Sequence, residues 1–226
     1  MMDAVLWLGC TIAVYWAAKR LYKKYPKIYM SPLLLTPVVL IGLLAISGAS
    51  FQTYNEGGVW LSNMVEPATI ALAVTMYKHI DLLKKHAFVI AVSVGCGALT
   101  GIVTSAGLAR LFGLTSELIG SLAPRSATTP IAVSITGLIG GIPTIAAVAT
   151  LITGLLGLVI GPLIVKWCGI RSSIAQGILF GTSAHSAGIS RAAEYGTAAG
   201  SIAGVAMLLT AFVTLGAAPW MIEWFR

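Results

Sequence analysis

The sequence predicts an all-α polytopic membrane protein with about six to eight membrane segments, discontinuous helices or re-entrant hairpins, and an inverted repeat. Three observations predict it. Of the 226 residues, 58% are hydrophobic and only 9% charged, whereas soluble domains carry roughly 25% charged residues. Basic residues gather in short clusters between apolar stretches, the pattern of cytoplasmic loops under the positive-inside rule. The apolar stretches are themselves broken by proline, glycine and hydroxyl residues at 66–67, 124–130 and 181–188. In hydrocarbon an unpaired backbone group costs several kcal/mol, so a broken segment survives only inside protein or along a polar cavity. No charge run or low-complexity block marks a second domain, and residues 1–226 read as one integral membrane domain.

Residues 4–18 form the first apolar segment, with Asp3 before it and Lys19, Arg20, Lys23, Lys24 and Lys27 after it. This is the densest basic cluster, so it is expected in the cytoplasm and the N-terminus outside. Trp16, Tyr22 and Tyr25 suit an aromatic belt there. Nothing resembles a cleavable leader, and the segment reads as a retained span. Residues 30–48 make a second span, 49–58 a polar outer loop, and 59–77 a third span interrupted by Glu66-Pro67. A basic loop follows at 78–85, and then a fourth span, 87–109, rich in small residues (Gly95, Gly97, Gly101, Ser105, Gly107) that allow close helix approach.

Residues 116–140 either cross the membrane as a broken helix or dip in and return, with Pro124–Pro130 at the tip. Residues 142–165 form a long apolar stretch ending at Lys166 and Arg171. If that basic end is cytoplasmic, 116–140 must be a hairpin, and 172–196 a matching hairpin from the other side. The last span, 198–221, ends at interfacial Trp220 and Trp224. A span plus hairpin followed by the same pair inverted is the logic of secondary transporters, with a midplane site between discontinuous helices.

Chemistry concentrates at the breaks. Arg125 follows Pro124 and precedes Ser126, Thr128 and Thr129. An arginine fork, hydroxyl donors and free N–H groups at a helix start together suit a carboxylate. The alternative is an arginine snorkelling to the interface. In the second break Thr182, Ser183 and His185 are candidate substrate contacts, and His185 is also a candidate proton shuttle. It could equally hold two helices together. Glu66 suits a cap of the helix after Pro67, a partner for Arg125 or a proton carrier, and Thr69 joins the candidate substrate contacts.

Cys10, Cys96 and Cys168 lie far apart with no CxxC, so neither a disulfide framework nor a metal site is expected. The net charge of +7 sits at helix ends and gives no phosphate-tracking stripe, so no nucleic-acid partner is expected. No nucleophile triad, phosphate loop or dinucleotide fingerprint appears. The chain is expected not to be an enzyme and to need no cofactor, with H+ or Na+ as possible coupling ions.

Several blocks carry a family likeness: Pro67-Ala-Thr-Ile-Ala-Leu-Ala-Val74 with Tyr77, Leu122-Ala-Pro-Arg-Ser-Ala-Thr-Thr-Pro-Ile-Ala132, Gly140-Gly-Ile-Pro143, and Gly181-Thr-Ser-Ala-His185 with Ala193-Glu194. With these the sequence resembles the LrgB/CidB family, which includes YohK-like inner-membrane proteins and the C-terminal half of the plastid glycolate/glycerate transporter. The family commonly has lysine where Arg125 stands, so the charge is kept. The resemblance implies a secondary membrane transporter of small monocarboxylates (glycolate, glycerate or pyruvate). The alternative it implies is a holin/antiholin-like regulator or pore component affecting murein hydrolase activity and lysis. It further implies a bacterial inner-membrane location and a small LrgA/CidA-type membrane partner. Small-residue spans add the expectation of a homo-oligomer within the lipid bilayer.

Overall fold

The computed structural model describes residues 2–25, 30–64, 67, 70–71, 74 and 77–225, and no strand occurs among them. The chain divides into two units, Met1–Val74 and Thr75–Arg226. Glu66 and Thr69 lie outside the described residues, as does much of the interrupted third segment.

The first unit holds α1 (Met2–Lys24), α2 (Pro32–Ser47) and α3 (Phe51–Asn63). Asp3 in the first turn of α1 and Lys23 and Lys24 in its last complement the helix dipole. Helix α2 opens on Pro32, whose missing N–H costs nothing there, and closes on Gly48 at φ 64°, which only glycine adopts cheaply. Residues 49–58, expected as a loop, are helical from Phe51. The reason is Ser50, whose Oγ accepts from the Thr53 N–H at 3.2 Å and caps α3. Helix α3 lies close against α1 because Gly57 has no side chain: a Cβ there would strike the Ala4 carbonyl oxygen. Trp7 and Tyr54 meet edge to face beside it, with centroids 5.8 Å apart.

The second unit holds α4 (Ile80–Lys85), α5 (Ala87–Leu111), α6 (Ser116–Leu122), α7 (Thr129–Leu138), α8 (Pro143–Trp167), α9 (Ser173–Ala193) and α10 (Thr197–Ile222). Helices α5 and α8 and the stretch Thr197–Phe225 are long and apolar enough to cross a membrane. These three, among the described residues, replace the expected six to eight. The shortfall has physical causes. Helix α2 has 16 residues, about 24 Å at 1.5 Å per residue against a hydrocarbon core of roughly 30 Å. The C-terminal part of α1 carries Lys19, Arg20, Lys23 and Lys24. Two further segments are hairpins whose arms are each too short.

Helices α6 and α7 form the first hairpin. The Ser121 Oγ accepts from the Ile142 N–H at 2.7 Å, so chain that leaves at Ser121 is back at the same level twenty-one residues later. Gly120 and Gly141 make the closure possible: a Cβ on Gly141 would lie 2.8 Å from the Ser121 nitrogen. The arm α7 has ten residues, about 15 Å, or half a hydrocarbon core.

The second hairpin is hidden inside α9, which turns at His185 (φ 39°, ψ −128°). A Cβ on Gly188 would strike the Phe180 carbonyl oxygen, and the Phe180 and Tyr195 rings stack at 5.6 Å. In an unbroken helix residues 180 and 195 would stand about 22 Å apart. The first arm, 173–184, runs antiparallel to α8: Phe180, Ala184 and His185 pack on Gly161, Gly157 and Gly154. It runs parallel to α10, with Gly177 on Ala199 and Ile202, and Gly181 on Ala203 and Ala206.

These pairings define two ends. One carries the start of α5 and the end of α8, with Lys84, Lys85, Lys166 and Arg171. The other carries the end of α5 and the 3-10 turn Glu223–Phe225 after α10, where Arg110 donates to the Trp224 carbonyl at 2.8 Å. The first hairpin enters from the second end and the second hairpin from the first, the alternative that the basic residues at 166–171 had implied.

Candidate functional site

The turn between α6 and α7 is held by its own backbone. The Arg125 N–H reaches the Leu122 carbonyl at 3.3 Å and the Ala127 N–H the Pro124 carbonyl at 2.9 Å. Pro124 is fully buried and supplies no donor, so α6 stops there. The Leu122 carbonyl also accepts from the Ser105 Oγ of α5 at 2.8 Å, and the same Oγ accepts from Arg125 Nε at 3.0 Å. One terminal guanidinium nitrogen of Arg125 lies 3.5 Å from Thr153 Oγ1 on α8. Thr153 stands near the middle of α8, and Ser126 meets Gly101 near the middle of α5. The charge therefore sits deep between two spans.

Placing a guanidinium at the centre of a membrane costs about 2.5–3.5 kcal/mol. Among the described residues the one ion pair joins Arg191 to Glu194, so no carboxylate there offsets Arg125. The two hydroxyls satisfy Nε and one terminal nitrogen and leave the other terminal nitrogen free of protein partners among the described residues.

Arg125 and Ser126 line a cleft of about 360 Å³ with Ser93, Gly97, Gly101, Ile178, Leu179, Thr182 and Ser183. Both breaks thus contribute to one cavity. Thr182 Oγ1 is buried with no hydrogen-bond partner, while Ser183 Oγ is engaged by the Leu179 carbonyl at 2.6 Å. The cleft needs glycine on α5: a Cβ at Gly97 would lie 2.9 Å from Thr182 Cγ2, and one at Gly101 would lie 3.1 Å from Ser126 Oγ. A fixed cation, an unsatisfied hydroxyl and apolar walls make a place for a small anion.

Of the residues singled out in the sequence, the structure brings together Arg125, Ser126, Thr182 and Ser183. Thr128 stands at the N-cap of α7 without a capping bond, and Thr129 is exposed; neither lines the cleft. His185 is elsewhere too. Its ring is 5% exposed and lies over Gly154, where a Cβ would come within 2.7 Å of Cε1. Its Nε2 is 2.9 Å from the Thr150 carbonyl, which can only accept, so Nε2 carries the hydrogen and Nδ1 faces Ser186 Oγ at 3.4 Å. His185 thereby pins the tip of the second hairpin to α8. Among the described residues no cluster of His, Cys, Asp or Glu could hold a metal.

Ser93, Ser105 and Thr153 were not distinguished as site residues by the sequence. Serine and threonine in a span usually bond back to their own helix, and Thr153 does so to Ala149 at 2.8 Å. Ser105, Gly97 and Gly101 were visible only as small packing residues.

The match to known proteins covers almost the whole chain. Residues 11–224 fit the model of the LrgB-like family. "Uncharacterized protein YwbG" of Bacillus subtilis is 44% identical over 99% of both chains, and "Uncharacterized protein YxaC" of the same organism 36% identical over 92% of this chain and 90% of its own. "Holin-like protein CidB" of Staphylococcus epidermidis is 29% identical over 94% of this chain and 93% of its own. No solved structure matches.

Proposed function

The chain belongs to the LrgB-like family as a multi-pass membrane protein, and from that premise we propose that it is a holin-like permeation component whose solute path runs through the Arg125 cleft. One observation carries this reading: hairpins entering from opposite ends both line one charged cavity at mid-depth. A bundle that merely filled the membrane has no need of two broken segments. Likeness to the relatives named holin-like favours a regulator or pore component, acting on lysis through murein hydrolases, over the monocarboxylate carrier first expected.

A second reading is a secondary transporter of small monocarboxylates, in the manner of the plastid glycolate/glycerate transporter. It is favoured by Arg125, a deep cation with no acid partner among the described residues. In that case the two span-plus-hairpin pairs act as an inverted repeat around the cleft, with H+ coupling through His185 or Glu66, or Na+ coupling through exposed carbonyls at the breaks. Under either reading the protein sits in the bacterial inner membrane, with the end bearing Lys84, Lys85, Lys166 and Arg171 in the cytoplasm and the N-terminus outside. It assembles symmetrically with copies of itself and with a small LrgA/CidA-type partner, and no enzymatic step is assigned to it.

Flux into proteoliposomes, with and without the small partner, separates the readings. Comparable leakage of sugars, amino acids and carboxylates supports the holin-like path. Saturable uptake of glycolate, competed by glycerate or pyruvate and driven by an ion gradient, supports the transporter. Folded protein that passes nothing, even with its partner, refutes both.

A further inference from the structure

Beside the cleft lies a second cavity of about 430 Å³, between α5 and the first arm of α9. It shares Ser93, Ile178 and Leu179 with the cleft and continues to His86, Ile170 and Ser172. These last residues stand at the end that carries Lys84, Lys85, Lys166 and Arg171. Towards the opposite end the described residues of this unit pack into an apolar plug. There Ile102, Ala109, Ile119, Ile135, Ile139 and Ile222 are all buried in one apolar cluster that joins α5, α6, α7 and α10.

We infer that a small anion reaches Arg125 from the basic end only, through this vestibule, with Ser93, Ile178 and Leu179 forming the throat. The inference rests on the anion-site reading of the cleft and adds the route, the side and the residues that control passage. Charge and shape agree on the direction. Lys84, Lys85, Lys166 and Arg171 stand at the same end as the vestibule, and an excess of fixed cations there favours the approach of anions. The apolar cluster offers a hydrated anion no polar group to replace its water. Ser93 supplies the hydroxyl at the narrowing, one turn before Gly97, and Ile178 and Leu179 face it from the hairpin.

The test is thiol labelling in membrane vesicles of both orientations, in full-length protein with Cys10, Cys96 and Cys168 changed to serine. Ser93→Cys and Thr182→Cys report on throat and cleft. Lys85→Cys marks the basic end, and Leu111→Cys, at the exposed end of α5, marks the other. The probes are a sulfonate-bearing and a trimethylammonium-bearing methanethiosulfonate, neither of which crosses lipid. The expected result is reaction of Ser93→Cys and Thr182→Cys from the Lys85 side alone. At Thr182→Cys the anionic reagent should be favoured about tenfold or more, and Arg125→Gln should abolish that preference. Reaction from the Leu111 side, from both sides equally or from neither overturns the route. Correct sidedness without charge preference overturns the anion site beneath it, and leaves an access path of another kind.

Discussion

Arg125→Gln separates the two things that a buried arginine can be, a tie between helices or a ligand for an anion. The structural ledger is nearly balanced. Burial of the cation costs about 2.5–3.5 kcal/mol. Against this stands one good charge-assisted bond to Ser105 at 3.0 Å, worth about 1.5–3 kcal/mol, and a marginal one to Thr153 at 3.5 Å. Glutamine removes both sides of the balance, and the Ser105–Leu122 bond remains. Stability should therefore move by about 1 kcal/mol or less, a melting shift of about 2–4 °C or less. Anion recognition should move far more. A carboxylate held 4 Å from the guanidinium gains about 4 kcal/mol at an effective dielectric of 20, which puts the loss near a thousandfold at most. Arg125→Lys keeps the charge without the fork and should lose about tenfold. The assay pairs thermal unfolding in detergent with the glycolate dependence of flux and the anion-to-cation permeability ratio in proteoliposomes. A mutant that melts well below the wild type while keeping its anion preference would refute the reasoning and make Arg125 a tie.

Ser121→Ala should remove the partner of the Ile142 N–H at the mouth of the first hairpin, costing about 0.5–1.5 kcal/mol; unfolding in detergent measures it, and an unchanged midpoint would mean the hairpin closes without that bond. His185→Ala should free the Thr150 carbonyl and open a gap over Gly154, lowering stability by about 2–4 kcal/mol while the residual flux keeps its anion preference. Loss of anion preference in that variant, with the midpoint preserved, would place His185 on the path after all. Gly181→Ala should force α9 from α10, because its Cβ would lie 2.8 Å from Ala203 Cα and from Ala206 Cβ. Overpacking of this kind costs about 1–3 kcal/mol; Gly216→Ala, which meets nothing within 4 Å, is the control in the same melting experiment.

The breaks were legible because proline, arginine and clustered hydroxyls are expensive in hydrocarbon whatever surrounds them. Pro124–Pro130 and Gly181–His185 could be located, and read as tips, without knowledge of their neighbours. Their partners were not legible. Gly97, Gly101, Gly154 and Gly157 look alike in a row of apolar residues, yet the first two open a cleft while the last two seat a hairpin tip. Nothing local separates them, because the distinction lies in which side chain of another element arrives opposite. The same holds for His185. Its segment advertised chemistry, but α8 presents a carbonyl beside a glycine at the depth of the tip, and the ring was claimed for anchoring. Ser50 is the reverse case: a one-residue cap, fully visible in the sequence, turned an expected loop into α3.

The two hairpins are held in place differently. The first is locked at both levels: Ser121 closes its mouth on Ile142, while Arg125 and Ser105 tie its tip to α5. The second has an apolar base around Phe180, Ala192 and Ala199, but its tip is held to α8 by one carbonyl bond from a residue at φ 39°. A non-glycine residue held in such a conformation stores about 1–3 kcal/mol, comparable with the bond that restrains it. Release of His185 from Thr150 leaves that carbonyl unpaired and is offset only in part by relief of this strain, whereas release of the first hairpin strands a guanidinium in hydrocarbon. Thr182 and Ser183 stand on the second hairpin and Arg125 on the first, so the polar lining of the cleft is divided between a segment tied by a guanidinium and one tied by a single imidazole bond.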